Sequence, residues 1–309
     1  MRQPLNLAWL RAIGTAATAV VMVLSWAQGS RAATALVPSS PSVAVSAAEA
    51  LPIERTDAAP LAQVSALDGN FCPSDLRGAI ATIISQPQFD TARWGIVIEP
   101  LDDADPLYQQ GANTALIPAS NTKLLTTAAT LQIVQERNPQ ALGAMEERIT
   151  IVNRDSHNGY ADDLLRRIGG QSAVQRVLTP LGINVDSYEQ ADGSGLSRRN
   201  RATPDALVTL LKAMRIQAEA GDIFYRSLAV AGTSGTLRNR FRDTAVQGRL
   251  QGKTGTLNGV RALSGYLESS SYGTLVFSIL INQPGQSGSV MLRAIDQIVL
   301  QAARVTPCN

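Results

Sequence analysis

Histidine occurs once in these 309 residues, cysteine twice and lysine three times, and aromatic residues make up 5% of the chain. One histidine (His157) and two distant cysteines (Cys72 and Cys308) cannot assemble a His/Cys metal cluster, so neither a metal nor another cofactor is expected. A surplus of one charge sign is also lacking. Net charge is +2 with the basic residues scattered, which excludes nucleic acid and an anionic membrane surface as expected partners. Long apolar runs are lacking too, with one exception. Ala12–Ala27 is 16 residues long, short of the roughly 20 that a spanning helix needs. Arg2 and Arg11 precede it and the small residues Ser30–Ala35 follow, so residues 1–35 read as a signal peptide rather than a membrane anchor. Export is therefore expected, with no stable membrane span in the mature form.

What is present divides the rest of the chain in two. Residues 36–69 are rich in Ala, Ser, Pro and Val without a period, and such a stretch buries too little to offset its ordering entropy, so a linker is expected. Residues 70–309 are enough for one globular domain with a real core. Cys72 and Cys308 lie at opposite ends of that domain. In an oxidising compartment they read as a disulfide, which by the chain-entropy model stabilises by about 4–5 kcal/mol before strain; two free thiols are the alternative.

Ser74 before the run Leu76, Ile80, Ile83, Ile84 predicts an N-capped helix. Arg93–Glu99 and Leu107–Gly111 read as strands, and Ser120–Gln135 as a largely buried helix. Helical patterns fill 141–152, 159–168, 172–180 and 204–219. Strand patterns return at 246–254, 262–268 and 273–282, and a helix over 288–304 closes the chain. Strands from both ends of the domain predict an α+β fold: an antiparallel sheet flanked by helices, a helical lobe from the middle, and a ligand cleft between them.

Three short patterns carry chemistry. Ser120-Asn121-Thr122-Lys123 opens a predicted helix, and a spacing of three puts serine and lysine on one face. A lysine acts as base only when neutral, so the site must depress its pKa through burial or a nearby cation. Against three lysines the chain has 24 arginines, which cannot release their proton, so a lysine at 123 suits a group that must deprotonate. Ser156-His157-Asn158 offers a hydroxyl and a carboxamide to relay a proton and bind a substrate amide; alone, it reads more readily as a helix cap. Lys253-Thr254-Gly255-Thr256 lies in a strand pattern. There Lys253 and Thr254 are expected to hold a carboxylate and Gly255 to admit substrate backbone. The N–H of Thr256 would join that of Ser120 as an oxyanion hole.

In this order the three elements resemble the serine β-lactamase and penicillin-binding superfamily. Pro118–Ala128, Tyr160-Ala161-Asp162 with Leu164-Leu165, Asp192–Arg198, Ser234-Gly235-Thr236-Leu237 and Lys253–Leu257 are similar to its class C low-molecular-weight branch, the D-alanyl-D-alanine carboxypeptidase/endopeptidases. The resemblance implies a β-lactamase/transpeptidase-like fold. It implies Ser120 as nucleophile, Lys123 as its base, and Ser156, Asn158 and Lys253 as further catalytic residues, with Thr254, Gly255 and Thr256 binding substrate. It also implies peptidoglycan stem peptides as substrate, β-lactams as inhibitors and a secreted or periplasmic place in a bacterial envelope. Two departures stand out. His157 occupies a position that is commonly aspartate in the family, and only 32 residues separate Lys123 from Ser156, where larger members carry extra domains. A β-lactamase, with Glu189 or Asp192 aimed at the hydrolytic water, and a catalytically silent wall-peptide binder are the competing readings.

Overall fold

The computed structural model describes residues 70–103 and 105–308, all within one compact unit. The expected signal segment and linker lie outside the described residues. Strands β1 (Arg93–Pro100), β2 (Tyr108–Gln110), β3 (Tyr188–Glu189), β4 (Arg201–Ala202), β5 (Ala229–Val230), β6 (Leu250–Leu257), β7 (Val260–Ser269) and β8 (Gly273–Asn282) form two sheets. The larger is wholly antiparallel, in the order β2-β1-β8-β7-β6-β5, so the first and last strands of the unit are neighbours. The smaller is the β3–β4 pair. Helices are α1 (Pro73–Ile84), α2 (Thr122–Arg137), α3 (Leu142–Asn153), α4 (Asn158–Ile168), α5 (Gly170–Leu178), α6 (Pro204–Arg215), α7 (Ala218–Arg226) and α8 (Gly288–Ala302).

The apolar period of two sorts the strand residues into two cores. Ile96 and Ile98 of β1, with Phe277 and Ile279 of β8, pack with Leu76 and Ile80 of α1 and Ile295 and Ile298 of α8. Val97, Val276 and Leu280 face the other side, with Leu124 of α2 and Leu207 and Leu211 of α6. Helices therefore cover both faces of the sheet, which is why β8 reads as an almost unbroken apolar run. Each such fully buried side chain contributes about 1.5–3 kcal/mol by transfer.

Helix α2 is the axis of the helical lobe, and every residue from Thr122 to Ile133 is buried. Three of its buried threonines bond their hydroxyls to the chain: Thr126 Oγ1 donates to the Gly193 carbonyl (2.9 Å), Thr127 Oγ1 to the Lys123 carbonyl (2.8 Å) and Thr130 Oγ1 to the Thr126 carbonyl (2.8 Å). On β8, the carboxamide of Asn282 pins the segment entering α2. It accepts from Ile117 N (2.8 Å) and donates to Ile117 O (3.0 Å).

Three local expectations need correction. The first helix is capped at Cys72, whose N–H donates to the Asp75 carboxylate (2.9 Å), and not at Ser74. The expected helix 204–219 is two, because Gln217 is extended and α7 packs back on α6 with Gly221 against the Met214 carbonyl. Strand β6 starts at Leu250, since Gly248 at φ +73° still turns the chain. Cys72 and Cys308 are thiols in the structure. They are neighbours all the same, close enough for the Cys72 thiol to hold the Cys308 thiol above its ordinary pKa. The meeting of the two ends brings them there: Thr306 N donates to Phe71 O (2.8 Å), and the Arg304 guanidinium lies 4.3 Å from the centre of the Phe71 ring.

Candidate active site

Ser120 lies in a 3₁₀ turn, Ala119–Asn121, that runs into α2 at Thr122, one step before the expected α-helical first turn. The turn is forced by its neighbours. Ala119 sits at φ +49°, a left-handed conformation that costs a non-glycine residue about 1–3 kcal/mol and persists only where surroundings over-determine it. Two glycines make that crowding possible. A Cβ on Gly195, itself at φ +85°, would fall 1.9 Å from the Ala119 carbonyl oxygen. A Cβ on Gly255 would fall 2.6 Å from the Pro118 carbonyl oxygen. The close approach at Gly255 is thus made by the chain's own nucleophile turn, where the sequence pointed to substrate backbone. Behind the turn, Asn121 Nδ2 donates to Ser264 Oγ (2.7 Å), which donates to Ser278 Oγ (2.9 Å), a buried link from α2 to β7 and β8.

Lys123 is fully buried, and its Nζ lies 3.0 Å from Ser120 Oγ and 2.8 Å from Asn158 Oδ1, with the Ser194 carbonyl as third partner. As an ammonium Lys123 donates to all three; the neutral amine keeps the same partners by turning its lone pair to the Ser120 hydroxyl. Its two N–H bonds go to the Asn158 and Ser194 oxygens, which leaves the lone pair for the Ser120 hydroxyl. Burial lowers the Lys123 pKa to about 8, against the opposing pull of the Asp162 and Asp192 carboxylates. The needed depression is therefore present, and burial is its cause.

Ser156 and Asn158 flank His157 between α3 and α4. Ser156 is at φ +62°, and its Oγ accepts from Lys253 Nζ (2.9 Å). His157 turns away to cap α4, its Nδ1 accepting from Tyr160 N (3.1 Å) and its ring 4.3 Å from that of Tyr160. The middle residue of the tripeptide caps the helix, and the side chains of the outer two meet Lys123 and Lys253. Histidine in the middle position leaves the Ser156 and Asn158 contacts in place.

Lys253 is also fully buried, donating to Ser156 Oγ and to the Thr254 carbonyl (3.0 Å). Burial, and then repulsion from Lys123, hold its pKa well below the usual lysine value. Its ammonium is turned inward, so the accessible polar groups on this strand are those of the threonines. Thr254 Oγ1 donates to Thr236 Oγ1 (2.8 Å), a partner on the Gly235–Leu237 turn. Strand β5 pairs with β6 only at Gln251 and Gly252, so from Lys253 onward that edge of β6 has no strand beside it among the described residues. Glu268 N donates to Arg249 O on the β7 side and Ala231 N to Leu250 O on the β5 side. Antiparallel alternation then directs the main-chain groups of Thr254 and Thr256 to the open edge. The Thr256 N–H therefore points to the edge that no described strand covers, next to Gly255, whose Cα lies against Pro118 and Ala119.

The structure brings together Ser120, Lys123, Ser156, Asn158, Lys253, Thr254, Gly255 and Thr256. It adds Asp162 and Ser194, which no short-range pattern marks as functional, and Thr236. All three lie within stretches whose resemblance was noted without a role for each residue. Asp192 is fully engaged: its oxygens accept from Gly195 N (2.6 Å), Ser197 N (2.6 Å) and Asn200 Nδ2 (2.9 Å). Glu189 is exposed on β3.

Residues 76–138 and 143–305 match the family model described as D-Ala-D-Ala carboxypeptidase 3 (S13). The chain is 40% identical over 164 residues to the D-alanyl-D-alanine carboxypeptidase of Actinomadura sp. strain R39, covering 48% of this chain and 30% of that one. It is 31% identical over 176 residues to the penicillin-sensitive carboxypeptidase A of Dictyostelium discoideum, covering 50% and 33%. The matches thus span about a third of the length of these curated relatives. Among solved structures, a β-lactamase from Sphaerobacter thermophilus is similar in fold, with a TM-score of 0.60, 18% identity and coverage of 74% of this chain and 95% of that one. The expected β-lactamase/transpeptidase-like α+β fold is the one observed.

Proposed function

Because the chain belongs to the D-Ala-D-Ala carboxypeptidase 3 (S13) family, we propose that it is a serine carboxypeptidase that removes the terminal D-alanine from peptidoglycan stem peptides. Neutral Lys123 takes the hydroxyl proton of Ser120 as Oγ attacks the carbonyl of the penultimate D-alanine. The N–H groups of Ser120 and Thr256 receive the oxyanion. Ser156, bonded to Lys253, passes its hydroxyl proton to the departing amine and regains one from the protonated Lys123. D-alanine leaves, and the proton first taken from Ser120 is passed on in full. Asn158 holds Lys123 and the peptide amide, while the hydroxyls of Thr254 and Thr236 receive the terminal carboxylate. Water then hydrolyses the acyl-enzyme, and β-lactams, which acylate the same oxygen, inhibit. The observation that carries this reading is the buried Lys123 amine 3.0 Å from Ser120 Oγ, with acceptors for its two remaining N–H bonds. The engagement of Asp192 by three N–H donors weighs against its use as a water-activating base of a β-lactamase. Intact mass after incubation with benzylpenicillin, followed by peptide mapping, tests the reading, with D-alanine release from a D-Ala-D-Ala peptide measured in parallel. One adduct on the Ser120 peptide is expected; no adduct and no release would leave the silent wall-peptide binder.

The proposal includes export to a bacterial envelope with residues 1–35 removed, residues 36–69 as a linker, and residues 70–309 as the enzyme. The described residues contain no helix long and apolar enough to cross a membrane. In that compartment the neighbouring thiols of Cys72 and Cys308 are expected to oxidise to a disulfide joining the two ends of the domain. Non-reducing peptide mapping of exported protein should recover the two as one cross-linked species. Two free thiols from a correctly exported sample would show that the ends are held by packing alone.

A further inference from the structure

The loop 192–197 has an arrangement that the reaction by itself does not explain. Four of its main-chain N–H groups are donated to two carboxylates. Asp162 Oδ1, on α4, accepts from Gly193 (2.9 Å) and Ser194 (2.8 Å), and Asp192 accepts from Gly195 and Ser197 (2.6 Å each). The loop held in this way touches both halves of the nucleophile–base pair. The Ser194 carbonyl accepts from Lys123, the Gly193 carbonyl accepts from Thr126 Oγ1 (2.9 Å), and Gly195 abuts Ala119 and Ser120. The charged groups acting on Lys123 are the carboxylates of Asp162 from α4 and Asp192 from the loop, and Lys123 in turn acts on Lys253 of β6.

We infer that Asp162 is a positioning residue that holds the Lys123 base through this loop and sets the pH at which it works, with Asp192 as the second support. The inference rests on Lys123 being the base. Burial favours the neutral amine and the two carboxylates favour the ammonium, so removal of one negative charge lets Lys123 lose its proton at lower pH. Burial alone brings the lysine low enough to act; the carboxylates keep it from falling so low that it becomes a weak acceptor for the serine proton.

Asp162→Asn is the discriminating variant, because it keeps an oxygen for the Gly193 and Ser194 amides and removes only the charge. The chain has three lysines, so protein made with lysine labelled at ¹³Cε gives three titratable signals, with Lys123 assigned by its loss in Lys123→Arg. In Asp162→Asn the Lys123 midpoint is expected to fall by about one pH unit, with the rising limb of benzylpenicillin acylation following it and Lys212 unmoved. Asp162→Ala, which also removes the acceptor, should lower acylation further at every pH. Should Asp162→Asn fail to fold, Asp192→Asn reads the same shift. A Lys123 midpoint that stays in place overturns the proposal, since a purely structural Asp162 would lower acylation without moving it. If wild-type protein forms no adduct, the base reading fails, and the titration still decides whether Asp162 governs Lys123.

Discussion

Ser120→Ala is expected to abolish benzylpenicillin labelling and to reduce D-alanine release by at least about three orders of magnitude, because no other group in the site supplies a nucleophile to the same carbonyl. The fold should survive. Ser120 is partly exposed, and its hydroxyl is bonded to Lys123 Nζ, which keeps Asn158 and Ser194 as partners in the variant. Alanine accepts the helical torsions of the turn, so the melting temperature should move by no more than a surface substitution would. Labelling and thermal unfolding on the same sample separate loss of chemistry from loss of structure. Persistent labelling would place the nucleophile on another serine and overturn the reaction drawn above.

Lys123→Arg should be nearly as damaging as Lys123→Ala, each lowering acylation by about two to three orders of magnitude. Arginine keeps the charge but cannot accept the Ser120 proton, and its larger head group does not match a fully buried pocket closed by Ser120, Asn158 and Ser194. The same assignment fixes the pH dependence of the wild-type enzyme. Lys123 has a pKa lowered to about 8, and the neutral form is the active one, so acylation should rise as pH increases through about 8. From sequence alone, Lys253→Arg would retain more activity than Lys253→Ala, since arginine also holds a carboxylate. The structure reverses that expectation. Lys253 is enclosed between Ser156 Oγ and the Thr254 carbonyl, so Lys253→Arg should fall with Lys253→Ala. Acylation rate constants for the four variants with one β-lactam, across pH, test all of this. Near-wild-type acylation by Lys123→Arg would end the general-base assignment.

The sequence by itself determined the local facts whose causes are local. Periods of two and of 3.6 identify the strands and helices, because side-chain direction repeats at those intervals whatever the partner. The spacing of Ser120 and Lys123 places them on one face, and the scarcity of lysine beside abundant arginine marks Lys123 and Lys253. The family resemblance adds the grouping of Ser156, Asn158 and Lys253 around them. Only the tertiary structure decided what depends on long-range packing. Burial of Lys123 in the α2 core lowers its pKa, and no neighbour in sequence could do so. The inward turn of Lys253 follows from the seating of β6 against the Ser156 corner. Gly255 is needed because Pro118, far away in the chain, presses on it. Asp162 becomes part of the site because α4 meets a loop 31 residues further on. Hydrogen bonds and desolvation act over a few ångströms of space, and the chain records only its own contour.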